Sequence, residues 1–169
     1  MAYVPVESLQ GLISLTNIDT SANRTIPRGT IVRGVDTTTA IRSYGEFIYL
    51  NGVASNVVGA LATWNPVAGT TTLVPSTAKL GYPVAVSLTA NTTTTSYSWY
   101  QISGVATISK AATVVGLGAR LWAQATGVVN AVSVAGKGVW GAIAVNSTLS
   151  AATFAKVLIQ RPFMEPLAT

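Results

Sequence analysis

The amino-acid sequence predicts an all-β protein: a small sandwich or barrel of short antiparallel strands with an extended N-terminal arm and little helix. Runs of Val, Ile, Thr and aromatic residues alternate with a period of two along most of the chain. Clusters of Gly, Pro and Asn-Thr separate these runs about every 8–12 residues, the spacing expected of short strands. The pattern leaves the choice between a sandwich and a barrel open.

Residues 1–28 are predicted to form the arm. The segment TNIDTSANRTIPRG, residues 16–29, is polar and rich in turn-forming residues. One helical turn could form within VESLQGLISL, residues 6–15, although Gly11 weakens it. Residues 29–169 are predicted to form a single β-rich domain, and an alternative division into two β-subdomains falls near residues 75–83.

The strands of the domain follow from their alternation. In EFIYLNGV, Phe47 and Tyr49 fall on one face while Ile48 and Leu50 fall on the other. The segments NSTLSAATFA, residues 146–155, and STAKLG, residues 76–81, could each form a helical turn instead. The predicted strands are, in order, 30–35, 46–53, 60–64, 71–74, 83–89, 96–110, 119–125, 130–136, 138–145 and 154–163.

The composition favours a protein that works in an assembly. Apolar residues make up 49% of the chain, whereas charged residues make up only 9%, against about a quarter in typical globular domains. A soluble monomer normally carries more surface charge to stay apart from its neighbours. We therefore expect much of the surface to face another protein; a stable β-protein with a neutral surface is the alternative.

The titratable residues offer little material for catalysis. The chain has no Cys and no His, and so lacks thiolate chemistry and the usual general base near neutral pH. No two of the five carboxylates lie within nine positions of each other, and Asp36 and Glu46 form the only plausible pair. A hard cation needs several oxygen ligands. We expect no enzyme activity, no cofactor and no metal.

The ten basic residues give a net charge of +5 but form no run. Arg24, Arg28, Arg33 and Arg42 are separated by 4, 5 and 9 positions, which does not define one face of an element. Direct nucleic-acid binding is therefore not expected, and Arg24, Arg28 and Arg33 are assigned to protein contacts.

No apolar window is long enough for a transmembrane helix, and the N-terminus lacks the features of a secretory signal. We expect no membrane contact and synthesis in a cytoplasm.

The four tryptophans lie inside apolar strand patterns, which assigns them to the core: Trp64, Trp99, Trp122 and Trp140. Exposed tryptophans would instead provide platforms for sugars or anchors at a protein interface.

Several stretches between about Gly29 and Phe163 carry a family resemblance. GEFIYLNGVAS, GYPVAVSL, WYQISGVA, LWAQATG and the terminal RPF, in this order, resemble the head decoration (cement) proteins of tailed bacteriophages. The resemblance implies a β-rich homotrimer on the outside of the mature capsid, bound to the major capsid protein, that strengthens the shell against internal DNA pressure. It supplies no site residues.

The stretch GEFIYLNGVASNVVGALATWNP, residues 45–66, carries no charge after Glu46. We expect Phe47, Tyr49, Leu50 and Trp64 to anchor two strands, and the uncharged segment 52–62 to lie against another chain. Val58 and Ala60 are accordingly predicted to be interaction residues.

Three other functions remain open at this point. A tail-fibre or receptor-binding module, binding carbohydrate through exposed Trp or Tyr, would be present in few copies per particle. A small β-barrel enzyme would need a pocket with clustered titratable groups. An internal head protein in contact with DNA would show a steep salt dependence of binding.

Overall fold

The computed structural model describes residues 3–6, 14–20, 26–38, 42–75 and 80–166. These residues form an all-β fold, which confirms the predicted class. The described part of the chain contains eleven strands: β1 (Tyr3–Pro5), β2 (Ile31–Asp36), β3 (Tyr44–Asn51), β4 (Leu61–Trp64), β5 (Thr71–Leu73), β6 (Val84–Ser87), β7 (Tyr97–Ser109), β8 (Arg120–Ala123), β9 (Val129–Asn130), β10 (Gly138–Ala144) and β11 (Phe154–Met164).

One antiparallel network of hydrogen bonds joins these strands. Its main path runs β1-β2-β3-β7-β11-β10-β8-β9, and β6, β4 and β5 branch from β7. The long strand β7 pairs with β3 through its first half and with β11 through its second half. Over the described residues the sheet does not close on itself, so the arrangement is that of a sandwich rather than a barrel.

A line of backbone irregularities crosses four neighbouring strands. The register between β3 and β7 shifts after Glu46, and the register between β10 and β11 shifts between Trp140 and Ala142. Gly104 of β7 has a φ of +95°, and a Cβ there would lie 2.5 Å from the Tyr44 carbonyl oxygen. Arg161 of β11 also has a positive φ, 43°. Such bulges bend strands and increase their twist, which suits a sheet that folds over on itself.

The two faces of β3 are buried in different clusters, as the alternation predicts. Phe47 and Tyr49 belong to an aromatic cluster with Tyr3 and Trp99, in which the Tyr3 and Phe47 rings meet edge to face at 5.0 Å. Ile48 and Leu50 belong to a cluster on the other side of the strand. The largest cluster combines the inward side chains of the second half of β7 with those of β4, β6, β8, β10 and β11.

The described segments of residues 1–28 lie against this domain. β1 pairs with β2, and Leu15 and Ile26 are buried in the aromatic cluster. Asp19 forms a bridge with Tyr97, and its carboxylate accepts a hydrogen bond of 2.5 Å from the Tyr49 hydroxyl.

Two local expectations are wrong. The predicted strand 130–136 ends at Asn130, because the Asn130 side chain accepts a hydrogen bond from the Val132 N–H at 2.6 Å and turns the chain away. No helical turn forms in residues 146–155, and the single helical segment of the described residues is a 3-10 turn at Ala125–Gly127. The other two expected turns fall largely on residues 7–13 and 76–79, outside the described residues.

None of the described residues belongs to a helix of the length and apolar character needed to cross a membrane.

Candidate protein-interaction surface

Strand β11 carries large apolar side chains on its outward face as well as apolar side chains on its inward face. Ala155, Val157 and Ile159 point inward and are buried in the main cluster. Phe154 and Leu158 point the other way and remain 44% and 38% exposed. A strand that is covered on one face normally carries polar side chains on the other, so the outward side of β11 is suited to contact with another molecule.

Strand β10 extends this apolar surface sideways. Ile143 is directly opposite Leu158 in the ladder, and the Val145 N–H donates to the Lys156 carbonyl oxygen at 2.9 Å. Ile143 is 51% exposed and Val145 is also exposed. We call the four residues Ile143, Val145, Phe154 and Leu158 the outer apolar face. Contiguous exposed apolar side chains of this kind are typical of interaction sites.

The outer apolar face offers enough burial to drive association. Full burial of one Val, Leu, Ile or Phe side chain is worth about 1.5–3 kcal/mol. Four side chains that are about half exposed therefore contribute several kcal/mol when a partner covers them. Lys156 lies among them, between Phe154 and Leu158, and is exposed, so a fitting partner places an acceptor or a carboxylate opposite its ammonium group.

Val58 lies at the Phe154 end of this face. It is 49% exposed, and its carbonyl oxygen accepts a hydrogen bond from the Ser109 hydroxyl at 3.2 Å. The next residue, Gly59, lies under the Phe154 ring, since a Cβ on Gly59 would be 3.2 Å from that ring. Val58 thus lies beside the apolar surface, and its role as a contact residue stays a prediction.

Ala60 is different, because its side chain is fully buried. The chain joins the sheet at this point: the Ser87 N–H donates to the Ala60 carbonyl oxygen at 2.9 Å. The Ala60 Cβ faces the backbone of Gly127, where an added Cβ would lie 3.2 Å away. Ala60 is thus packed inside the described fold, where an Asp would disturb folding, and its role as a contact residue stays a prediction.

The two predicted arginines that lie within the described residues have different partners. Arg28 donates to the Asn51 side chain at 3.3 Å and to the Gly69 carbonyl oxygen at 3.5 Å, which ties it to two nearby loops. Arg33 lies on β2 beside Glu46, with the Arg33 Nε 3.7 Å from a carboxylate oxygen. Arg24 lies outside the described residues.

Arg33 does share its carboxylate with a residue that sequence reasoning missed. Arg161 donates from Nε and Nη2 to the same Glu46 side chain at 3.2 and 3.1 Å. The two guanidinium groups border an open groove of about 760 Å³ that also includes Tyr44 and Gln160. Arg161 is 115 positions from Glu46, so no sequence pattern signals the pairing.

The carboxylates that sequence reasoning paired serve separate partners. The Asp36 side chain is buried and accepts hydrogen bonds from the N–H and hydroxyl of Thr38 at 2.9 and 2.7 Å. Glu46 instead holds the two arginines. The described residues contain no group of three or more potential metal-ligating side chains.

The tryptophans divide between core and surface. Trp99 is fully buried, as predicted, and Trp64 and Trp122 are partly buried. Trp140 is 52% exposed, so its assignment to the core is wrong. The small residues Ala142 and Ala144 occupy the inward positions of β10, and the bulge at Gly141 leaves Trp140 on the outward side, where its ring lies 6.0 Å from that of Phe163.

No protein-family model matches the chain, and no curated protein sequence matches it either.

Proposed function

We propose that this chain is a head decoration (cement) protein of a tailed bacteriophage. It binds the outer surface of the mature head as an oligomer, a homotrimer, with the major capsid protein as its partner, and stabilises the shell against internal DNA pressure. The observation that carries the proposal is the outer apolar face of β10 and β11. The order of motifs from Gly29 to Phe163 and the low content of charged residues support it.

The character of the outer apolar face fits a permanent protein contact better than a transient one. Its side chains are aliphatic and aromatic, they sit on paired strands of the sheet, and one cation lies among them. Obligate interfaces are more apolar than transient ones and resemble a protein core cut in half, and the four exposed apolar side chains on β10 and β11 fit that description. Membrane and nucleic acid are not partners in this proposal, and the protein acts without a cofactor and not as an enzyme.

The mechanism follows from mass action. A protein that binds only the mature shell lowers the free energy of that state in proportion to the logarithm of its concentration over its dissociation constant. Symmetry repeats each modest contact many times over the head. Cementing therefore requires neither a tight individual site nor any chemistry.

The test compares two single substitutions on the full chain. Leu158→Asp places a charge in the centre of the outer apolar face, whereas Val67→Asp places one on a loop residue that is 95% exposed and lies outside this face. We expect particles formed with Leu158→Asp to retain about ten-fold less of the chain or fewer copies still, and particles formed with Val67→Asp to retain the normal amount.

Thermal melts of both purified variants check that each one folds. Folded Leu158→Asp that decorates heads and oligomerises like the unmodified chain would contradict the proposed use of this face. The alternative role, a tail-fibre or receptor-binding module, would leave the chain at the tail or vertices in both variants.

A further inference from the structure

Two tryptophans lie on the same side of the sheet, away from the core. Trp122 of β8 is directly opposite Gly138 of β10 in the ladder, and Trp140 follows Gly138 by two positions. Cross-strand partners and residues two apart point to the same face of a sheet. Trp122, Gly138 and Trp140 therefore form a row in which a residue without a side chain separates two indole rings.

The absence of a side chain at Gly138 lets the Trp140 ring and the Glu165 carboxylate approach the backbone at the edge of a cleft. A Cβ on Gly138 would lie 3.3 Å from the Trp140 Nε1 and 3.3 Å from a Glu165 carboxylate oxygen, so even an Ala would displace one of them. The cleft has a volume of about 340 Å³, and Arg120 and Glu165 border it. This volume lies at the lower end of the range for small-molecule sites, about 300–1,000 Å³.

The polar groups of the cleft are held in place, and several of them keep free hydrogen-bonding capacity toward a ligand. The Gly138 N–H donates to Glu165 Oε2 at 3.2 Å, and the Glu165 N–H donates to the Gly138 carbonyl oxygen at 2.8 Å, which fixes the carboxylate beside the rings. Within the described part of the chain, Arg120 forms no ion pair. The second Glu165 oxygen and the two indole N–H groups likewise have no hydrogen-bond partner among the described residues.

We infer that this cleft binds a neutral carbohydrate of one or two sugar units. The apolar C–H face of a sugar ring fits against an exposed indole ring, and its hydroxyl groups both donate and accept hydrogen bonds. The carboxylate accepts from such hydroxyls, while the guanidinium and the indole N–H groups donate to them. One positive and one negative charge border the cleft, which favours a neutral ligand over an anion or a cation.

The carbohydrate cleft borders the outer apolar face, because Ile143 belongs to that face and also lines the cleft. The Trp140 ring lies toward the Phe163 end of β11, since Trp140 is opposite Phe163 in the ladder, whereas Phe154 lies at the other end of the strand. A partner that covers Ile143 and Leu158 therefore lies beside the cleft. The inference does not depend on the proposed function.

The probe is a panel of immobilised neutral glycans ending in glucose, galactose, mannose or N-acetylglucosamine, followed by titration of the free sugars into the purified full-length chain. We expect binding of at least one of them, with quenching of tryptophan fluorescence. Trp140→Ala should weaken this binding about ten-fold or more, and Gly138→Ala should weaken it by displacing the Trp140 ring or the Glu165 carboxylate.

Tyr44→Ala is the matched control, because Tyr44 is an exposed aromatic residue in the other groove. It should leave glycan binding unchanged, and thermal melts should show all three variants folded. Three results would overturn the inference: no binding of any panel member at millimolar concentration, binding that Trp140→Ala leaves intact, or a change of oligomeric state in Trp140→Ala that shows a second copy covering the cleft.

Discussion

Glu46 holds two guanidinium groups that come from opposite ends of the sequence. Arg33 and Arg161 are both mostly exposed, so solvent screens their attraction to the carboxylate. Exposed ion pairs contribute about 0.2–1 kcal/mol. The value of this arrangement lies in the orientation of the two arginines along the groove more than in the stability of the fold.

Glu46→Gln tests this assignment, since it removes the charge and keeps the shape. We expect the free energy of unfolding in urea to fall by about 1 kcal/mol or less at low salt, and the difference to shrink at high salt as screening increases. Arg120→Gln, at an exposed cation outside the pair, serves as the control. A loss above about 2 kcal/mol that salt does not change would show that the carboxylate has a structural role instead.

Tyr100 is a buried tyrosine whose hydroxyl group makes the stability of the fold depend on pH. Burial raises its pKa to about 12, because the charged phenolate would lose its hydration. Its hydroxyl donates to the Asn51 carbonyl oxygen at 3.0 Å. The pKa of Tyr100 in the folded state lies above the value of about 10 in the unfolded state. The neutral Tyr100 therefore contributes its full share to the free energy of unfolding below about pH 10, and this contribution is lost as the pH rises toward about 12.

Tyr100→Phe should therefore have two effects on the free energy of unfolding. At about pH 7 the substitution should lower the free energy of unfolding by about 1 kcal/mol through the lost hydrogen bond. Between about pH 10 and about pH 12 the decline seen with the unmodified chain should become shallower. Denaturant titrations at about pH 7 and about pH 11 measure both effects, with Tyr44→Phe as the exposed control, and an equally steep alkaline decline in Tyr100→Phe would refute the assignment.

At the level of single strands, the alternation of odd and even positions predicts which side chains are buried better than residue type does. On β11, Lys156 and Gln160 share their parity with Phe154 and Leu158, and a charged residue seldom points into a core. That parity alone places Phe154 and Leu158 outside. The same reasoning fails on β10, because the bulge at Gly141 resets the alternation and depends on the approach of the Gln160 carbonyl, a contact distant in sequence.

The bend of the sheet at β7 depends on Gly104. Its φ of +95° and the distance of 2.5 Å that would separate an added Cβ from the Tyr44 carbonyl oxygen leave no room for a side chain. We expect Gly104→Ala to lower the free energy of unfolding by about 2–4 kcal/mol. Gly116→Ala, at a glycine with open space and ordinary φ, should change it by less than about 1 kcal/mol. Equal effects of the two changes on the melting temperature would contradict this account of the bend.

On the scale of the whole molecule, the fold class and the opposite faces of β3 were predictable because they follow from local alternation and turn spacing. The exposure of Trp140 and the burial of Ala60 were not, since both depend on which strands pair and where the ladder shifts. The pairing of Arg161 with Glu46 likewise depends on topology. Sequence patterns thus predict the surface features that would bind a partner less well than they predict the strands and the fold class.

Copy number in purified particles tests the central proposal most directly. Quantitative mass spectrometry would compare this chain with the major capsid protein of the same particle. A decoration protein predicts a ratio near one, or a simple fraction of one, because it repeats with the shell. A few copies per particle would move the chain to the tail or a vertex, and its absence from the particle would contradict a role in the virion.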